Sequence, residues 1–302
     1  MPIYWGAKKS RPVTTPSTHP SSEGVQLAVY DYAPVSTKQS VLLSHATGFH
    51  GRVFDPVAEH LQNSYHCYSF DYRGHGDSGA PTNWKANWSG YGDDALAITR
   101  VITDTHADTP IIGAGHSMGG AALVMAALRA PELFRALILY EPIIFPPQVR
   151  VGMTETGVSS PLADGARRRR STFASFDEAI ANYSSKPPLN VMRPDALRAY
   201  VMHGFRTQHD GISIKCSPEH EARTYEMGAI HETWNDLPKL RVPVWLVSGE
   251  VIPHTPGAIA ALIANEVPGS TLVQWNDLGH FGPMQDPQRF AQLIAQVDAA
   301  TQ

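Results

Sequence analysis

PIIGAGHSMGG, residues 110–120, is the stretch on which the fold turns. Residues 110–116 are mostly apolar or small and read as a buried strand. Residues 118–130, MGGAALVMAALRA, carry apolar side chains at helical spacing. Between the two lies Gly115-His116-Ser117-Met118-Gly119, a G-x-S-x-G pattern. A sharp strand-to-helix turn holds such a serine above the sheet, and glycines on either side remove Cβ clashes. The helix N-terminus behind it offers unpaired N–H groups to an anion. Ser117 is therefore the candidate nucleophile.

Working outward, short apolar runs alternate with longer helical patterns. Strands are expected at 40–46, 65–72, 136–141, 242–249 and 271–275, with helices at 91–105 and 287–300. Strand–helix alternation predicts an α/β fold, with a mostly parallel central sheet flanked by helices. The alternation breaks between Pro142 and Leu240, where helical patterns at 176–183 and 194–205 stand without a strong strand. Such a length is too great for a loop. A mainly helical insertion is expected there, over the carboxyl ends of the strands where such sheets bind ligands.

The 302 residues suit one large domain with an insertion. Apolar residues make up 42% and charged residues 17%, ordinary for a globular protein. A net charge of −4 gives no reason to expect nucleic acid or an anionic membrane as partner. The two cysteines, Cys67 and Cys216, argue against a disulfide framework. The first residues hold no apolar core of signal-peptide length, so a cytoplasmic protein is expected. Residues 1–23 read as a loosely held arm. No metal-ligand spacing, P-loop or dinucleotide motif appears, so no cofactor is expected.

A serine hydroxyl needs a base, and the base needs an orienting acid. His280, in NDLGHFGPMQDP after the last strand, is positioned to reach Ser117. The acid is signalled by ALILYEPIIFPP (136–147), where Glu141 is the one charge in an apolar run. A carboxylate in such surroundings is costly unless something pairs with it.

Together, SHATGFHGRVFDPVAEHL (44–61), SFDYRGHGDSG (69–79), GHSMGG (115–120), VPVWLVSGE (242–250) and LGHFGPMQDP (278–287) resemble the α/β-hydrolase superfamily, over residues 24 to 302. The resemblance implies a core of 24–141 and 241–302, a cap of 142–240 between strands 6 and 7, and a Ser–acid–His mechanism. It implies an oxyanion hole from the backbone N–H groups of Thr47 and Met118. That register follows His45-Ala46-Thr47, where the family has His-Gly-x, and it leaves Gly48 as an alternative donor. It implies a structural role for Asp71, Arg73 and His75. The family usually carries its acid three residues after the glycine of SGEVIPH, which here is Ile252. Some relatives, including certain haloalkane dehalogenases, carry it instead at the position of Glu141. Glu141 is therefore favoured, with Glu250 as the alternative, or no acid at all.

A serine nucleophile implies acyl transfer, with a small, largely apolar ester or lactone as the expected substrate. Carbon–carbon bond hydrolysis, perhydrolysis, or ligand binding without turnover are the alternatives. The pocket is expected to draw on Phe49, His50, His116, Phe145, Tyr200 and Phe205, with Tyr225 a further cap candidate. The run Arg167–Arg170 reads as a solvated helix face, with recognition of an acidic substrate as the other reading. Oligomeric state has no sequence signature.

Overall fold

The computed structural model describes residues 15–33, 39–82, 87–149, 160–228, 230–253 and 255–302. Eight strands form one sheet: β1 (Ser17–Pro20), β2 (Gln26–Tyr32), β3 (Ser40–Ser44), β4 (His66–Phe70), β5 (Ile111–His116), β6 (Phe134–Tyr140), β10 (Val244–Ser248) and β11 (Thr271–Gln274). Their order is β1-β2-β4-β3-β5-β6-β10-β11. From β4 through β11 every neighbouring pair is parallel, and β2 joins β4 antiparallel. All six strands expected from sequence are present.

The central strands read as continuous apolar runs because both of their faces are covered. Side chains alternate between the two faces. Ile112, Ala114, Ile138 and Tyr140 pack toward one cluster, while Ile111, Leu137 and Leu139 pack toward the other. Helices α1 (Asp55–Leu61) and α9 (Pro287–Ala300) cover the first face. Helices α2 (Trp88–Thr105), α3 (Met118–Arg129) and α8 (Pro256–Glu266) cover the second. Each fully buried Leu or Ile contributes roughly 1.5–3 kcal/mol. The core strands thus hold their loops on a rigid base.

One expectation is corrected. Ser17–Pro20, read as part of a loose arm, pairs antiparallel with β2. Its polar sequence gives no periodic signal, and the backbone ladder makes the pairing. Residues 1–14 of that arm lie outside the described residues. The insertion between β6 and β10 is mainly helical, as expected. It holds α4 (Pro161–Arg168), α5 (Phe176–Ser184), α6 (Pro194–Gly204) and α7 (Pro218–Met227). It adds a three-stranded antiparallel sheet of β7 (Thr172–Phe173), β8 (Phe205–Gln208) and β9 (Gly211–Ile214), in the order β7-β9-β8. These strands are too short, and β8 too exposed, for an alternating pattern to show.

The insertion is fastened to the core by α7. Ser217 caps it by accepting from the His220 N–H at 3.2 Å. Trp88 Nε1 donates to Thr224 O at 3.0 Å, and the Tyr91 and Thr224 hydroxyls meet at 2.7 Å.

Candidate active site

β5 ends at His116 and α3 begins at Met118, so Ser117 alone makes the turn. Its φ of 56° and ψ of −117° are strained values for a residue with a Cβ. Besides the helical bond from Ala121 N–H to its carbonyl, two backbone bonds hold it there. Ser117 N–H donates to Tyr140 O at 2.9 Å, and Ile143 N–H donates to Ser117 O at 3.2 Å. The flanking glycines are required by close approach. A Cβ on Gly115 would lie 2.7 Å from Gly120 Cα, and one on Gly119 would lie 2.5 Å from His45 O. As the first helical residue, Met118 keeps an N–H without an intrahelical acceptor.

Glu141 follows β6 directly, with φ 44° and 2% exposure. Its Oε2 accepts from His280 Nδ1 at 2.6 Å, and its Oε1 accepts from Gly249 N–H at 2.8 Å. An ionised carboxylate only accepts, so the imidazole carries its proton on Nδ1 and presents Nε2 as a base. Gly257 lines the same niche, since a Cβ there would lie 2.9 Å from Glu141 Oε1. Glu250 points elsewhere: it is exposed, and its N–H donates to Leu278 O at 2.7 Å. Ile252 is 48% exposed. The turn after β10 thus supplies an amide, that of Gly249, to Glu141.

His280 is held by its neighbours. Tyr140 OH donates to Gly279 O at 2.7 Å, and Gly279 N–H donates to Gln285 Oε1 at 2.9 Å. The His280 ring lies 4.8 Å from that of His116, the residue before Ser117. The imidazole and the elbow therefore adjoin.

The loop after β3 closes the other side. Phe49 N–H donates to Ala46 O at 3.1 Å, which makes a tight turn with Gly48 at φ 77°. A glycine is needed at that position. Gly48 N–H donates to His75 Nε2 at 3.1 Å, so this amide is engaged. His75 Nδ1 in turn donates to Arg73 O at 3.0 Å. His45 braces the loop likewise, accepting from Tyr72 N–H at 3.0 Å and donating to Ala46 O at 2.8 Å. Asp71 accepts from Gly51 N–H, Asp77 N–H and Tyr30 OH, each at 2.7 Å. Arg73, 1% exposed, forks onto Asp94 at 2.8 and 2.9 Å. These residues form a scaffold beneath the turn.

Burial keeps these histidines neutral. It lowers His45 and His220 to about 4, and His50, His75 and His116 well below 6.5. A depressed histidine stabilises the fold above its unfolded value and loses that contribution as pH falls toward its folded value. Asp71 runs the other way: burial raises it to about 6, so its contribution fades as pH rises through that value. Five histidines outweigh the two aspartates, Asp71 and Asp94, whose carboxyl groups burial raises. The melting temperature is therefore expected to fall between pH 7 and 5, as differential scanning calorimetry would show.

Several pocket candidates converge on the elbow. Phe49 lies 6.3 Å from His116 and 5.0 Å from Tyr200, ring to ring. His50 stacks on Tyr200 at 6.0 Å and meets its carbonyl at 3.0 Å. His50 Nδ1 and His116 Nε2 are buried and have no hydrogen-bond partner among the described residues. Phe281, which sequence reasoning passed over although it follows His280, contacts Phe49, His116 and His280 at 5.6 to 6.2 Å. Phe145 and Phe205 are placed otherwise. Phe145 packs into the cluster on the α3 face. Phe205 packs inside the insertion against Phe173 and Tyr183, at 5.8 and 6.3 Å. An open groove of about 420 Å³ between α2, α3 and α7 includes Trp88, Met125 and Met227 but none of Ser117, Glu141 and His280.

The arginine run divides. Arg167 pairs with Glu219 and Glu226 at the surface, as a solvated face would. Arg169 turns inward, with its side chain 16% exposed.

Residues 41–293 match the alpha/beta hydrolase family, and the chain belongs to it. It is 32% identical over 108 residues to a monoglyceride lipase homolog of monkeypox virus, covering 35% of this chain and 39% of that protein. It is 27% identical over 213 residues to the 2-(acetamidomethylene)succinate hydrolase of Mesorhizobium japonicum, covering 70% of each. The chain spans about two fifths of the length of the lipase relatives it matches. Among solved structures, an E-2-(acetamidomethylene)succinate hydrolase superposes with a TM-score of 0.76 at 20% identity, covering 94% of this chain and 99% of that one. No described helix is long and apolar enough to cross a membrane.

Proposed function

We propose that this protein is a serine hydrolase that cleaves a carboxylic ester or lactone of a small, largely apolar molecule through an acyl-enzyme. The observation that carries the reading is the 2.6 Å contact between Glu141 and His280, beside a strained Ser117. A ligand-binding protein without turnover has no need of a histidine held in one tautomer.

In the reaction, His280 Nε2 takes the proton of Ser117 Oγ as the oxygen attacks the carbonyl carbon. The N–H groups of Met118 and Thr47 stabilise the oxyanion. The engagement of Gly48 N–H by His75 supports Thr47 over Gly48 as donor. Glu141 stabilises the imidazolium, which then protonates the leaving alcohol. Water, deprotonated by His280, attacks the acyl carbon and frees the acid. The insertion acts as a cap, and Phe49, His50, His116, Tyr200 and Phe281 shape the acyl side.

The test is rapid-mixing kinetics with p-nitrophenyl acetate and butyrate. Saturable p-nitrophenol release is expected, with a stoichiometric burst if deacylation is slow. A rate no higher than that of buffer, for these esters and for a panel of simple lactones, would overturn the reading.

A further inference from the structure

Arg169 and Glu221 form a largely buried ion pair, with side chains 16% and 9% exposed. Arg169 follows α4, and Glu221 lies in α7. The guanidinium also donates to Tyr200 OH at 2.7 Å and Tyr183 OH at 3.1 Å. The carboxylate lies against the oxyanion turn: a Cβ on Gly48 would stand 2.6 Å from Glu221 Oε1. It cannot readily swing away. The neighbouring His220 packs edge-on against His75 at 5.1 Å, and His75 holds Gly48 N–H. Tyr225 OH reaches Glu221 Oε1 at 3.5 Å.

A fixed carboxylate in this place is a problem for acyl transfer. Negative charge develops at the N–H of Thr47, next to Gly48, and a nearby anion in a poorly solvated site raises that barrier. We propose that Arg169 is the charge partner that cancels Glu221 at the oxyanion turn, so that the cap lends the turn rigidity without opposing the transition state. The inference rests on the serine-hydrolase reading. Arg169 touches no reacting atom, so it is a positioning residue. Removal of the cation leaves a buried anion, and removal of the anion leaves a buried cation. The two changes therefore act on the oxyanion with opposite signs.

The test is kcat, KM and melting temperature for Arg169→Met, Glu221→Gln and the double variant on p-nitrophenyl butyrate, well below every melting temperature. Arg169→Met is expected to lower kcat by about 10- to 100-fold, the scale of one unit charge several ångströms away at an effective dielectric near 20. KM is expected to move little. Glu221→Gln keeps the shape and removes the charge nearer the turn, so it is expected to raise kcat by a factor comparable to the loss in Arg169→Met, by the same electrostatic argument. The double variant is expected to return to within about threefold of wild type, because neither charge remains. A merely structural pair predicts that both single variants lose kcat along with stability, and that result would overturn the proposal. If Arg169→Met does not fold, the sign of the Glu221→Gln effect decides alone. Absence of wild-type turnover overturns both readings, whereas turnover with the wrong sign pattern overturns this one only.

Discussion

Ser117→Ala is expected to lower kcat on p-nitrophenyl butyrate by about 10⁴ to 10⁶, the range seen when a serine hydrolase loses its nucleophile. The loss has one source, because the rest of the site survives the change. Both proposed oxyanion donors are backbone amides, at Thr47 and Met118, and neither depends on the serine side chain. The Glu141–His280 contact is also independent of Oγ. The backbone at residue 117 keeps its φ of 56°, since alanine carries the same Cβ strain as serine. Melting temperature and KM are therefore expected to stay close to wild type. A residual rate above that of water is expected from the oxyanion donors and binding alone. Activity within tenfold of wild type would remove Ser117 from the reaction.

Glu141→Gln is the second large effect. The carboxylate accepts two hydrogen bonds in a niche closed to water, one from His280 Nδ1 and one from Gly249 N–H. An amide offers one oxygen and one NH₂. If the oxygen stays with Gly249, the NH₂ faces His280 and drives the ring to the wrong tautomer. If the oxygen turns to His280, the Gly249 N–H faces a donor inside a buried site. In either case the negative charge that steadies the imidazolium is gone. The corresponding amide change in a chymotrypsin-type triad costs about 10⁴ in kcat. A loss of at least about 10² is expected here by the same mechanism. Glu250→Gln removes an exposed charge and is expected to change kcat by less than about tenfold, as a surface substitution does.

Parts of this site were legible in the sequence because they rest on local signals. The glycine spacing around Ser117 reports a close backbone approach that no other residue permits. Glu141 announced itself as the one charge in an apolar run, and the carboxylate is indeed buried and paired. Each core strand was a short apolar run between helical patterns, which is the mark of burial on both faces. Other parts rest on contacts with no local trace. The shape of the turn after β3 depends on His75 taking the Gly48 amide, across 27 residues. The Arg169–Glu221 pair joins positions 52 residues apart. Within Arg167–Arg170 nothing in the composition says which arginine turns inward. The exchange of Phe205 for Phe281 has the same origin. Both are aromatic residues near loops, and only packing puts one inside the insertion and the other against His280.

Whether Glu141 holds His280 as the base for Ser117 is decided by one comparison. It is kcat for Glu141→Gln beside Glu250→Gln, on p-nitrophenyl butyrate, with folding verified by circular dichroism. The account predicts a loss of about 10² or more for the first and less than about tenfold for the second. A Glu141→Gln protein that folds and turns over near the wild-type rate, with Glu250→Gln inactive, would contradict it.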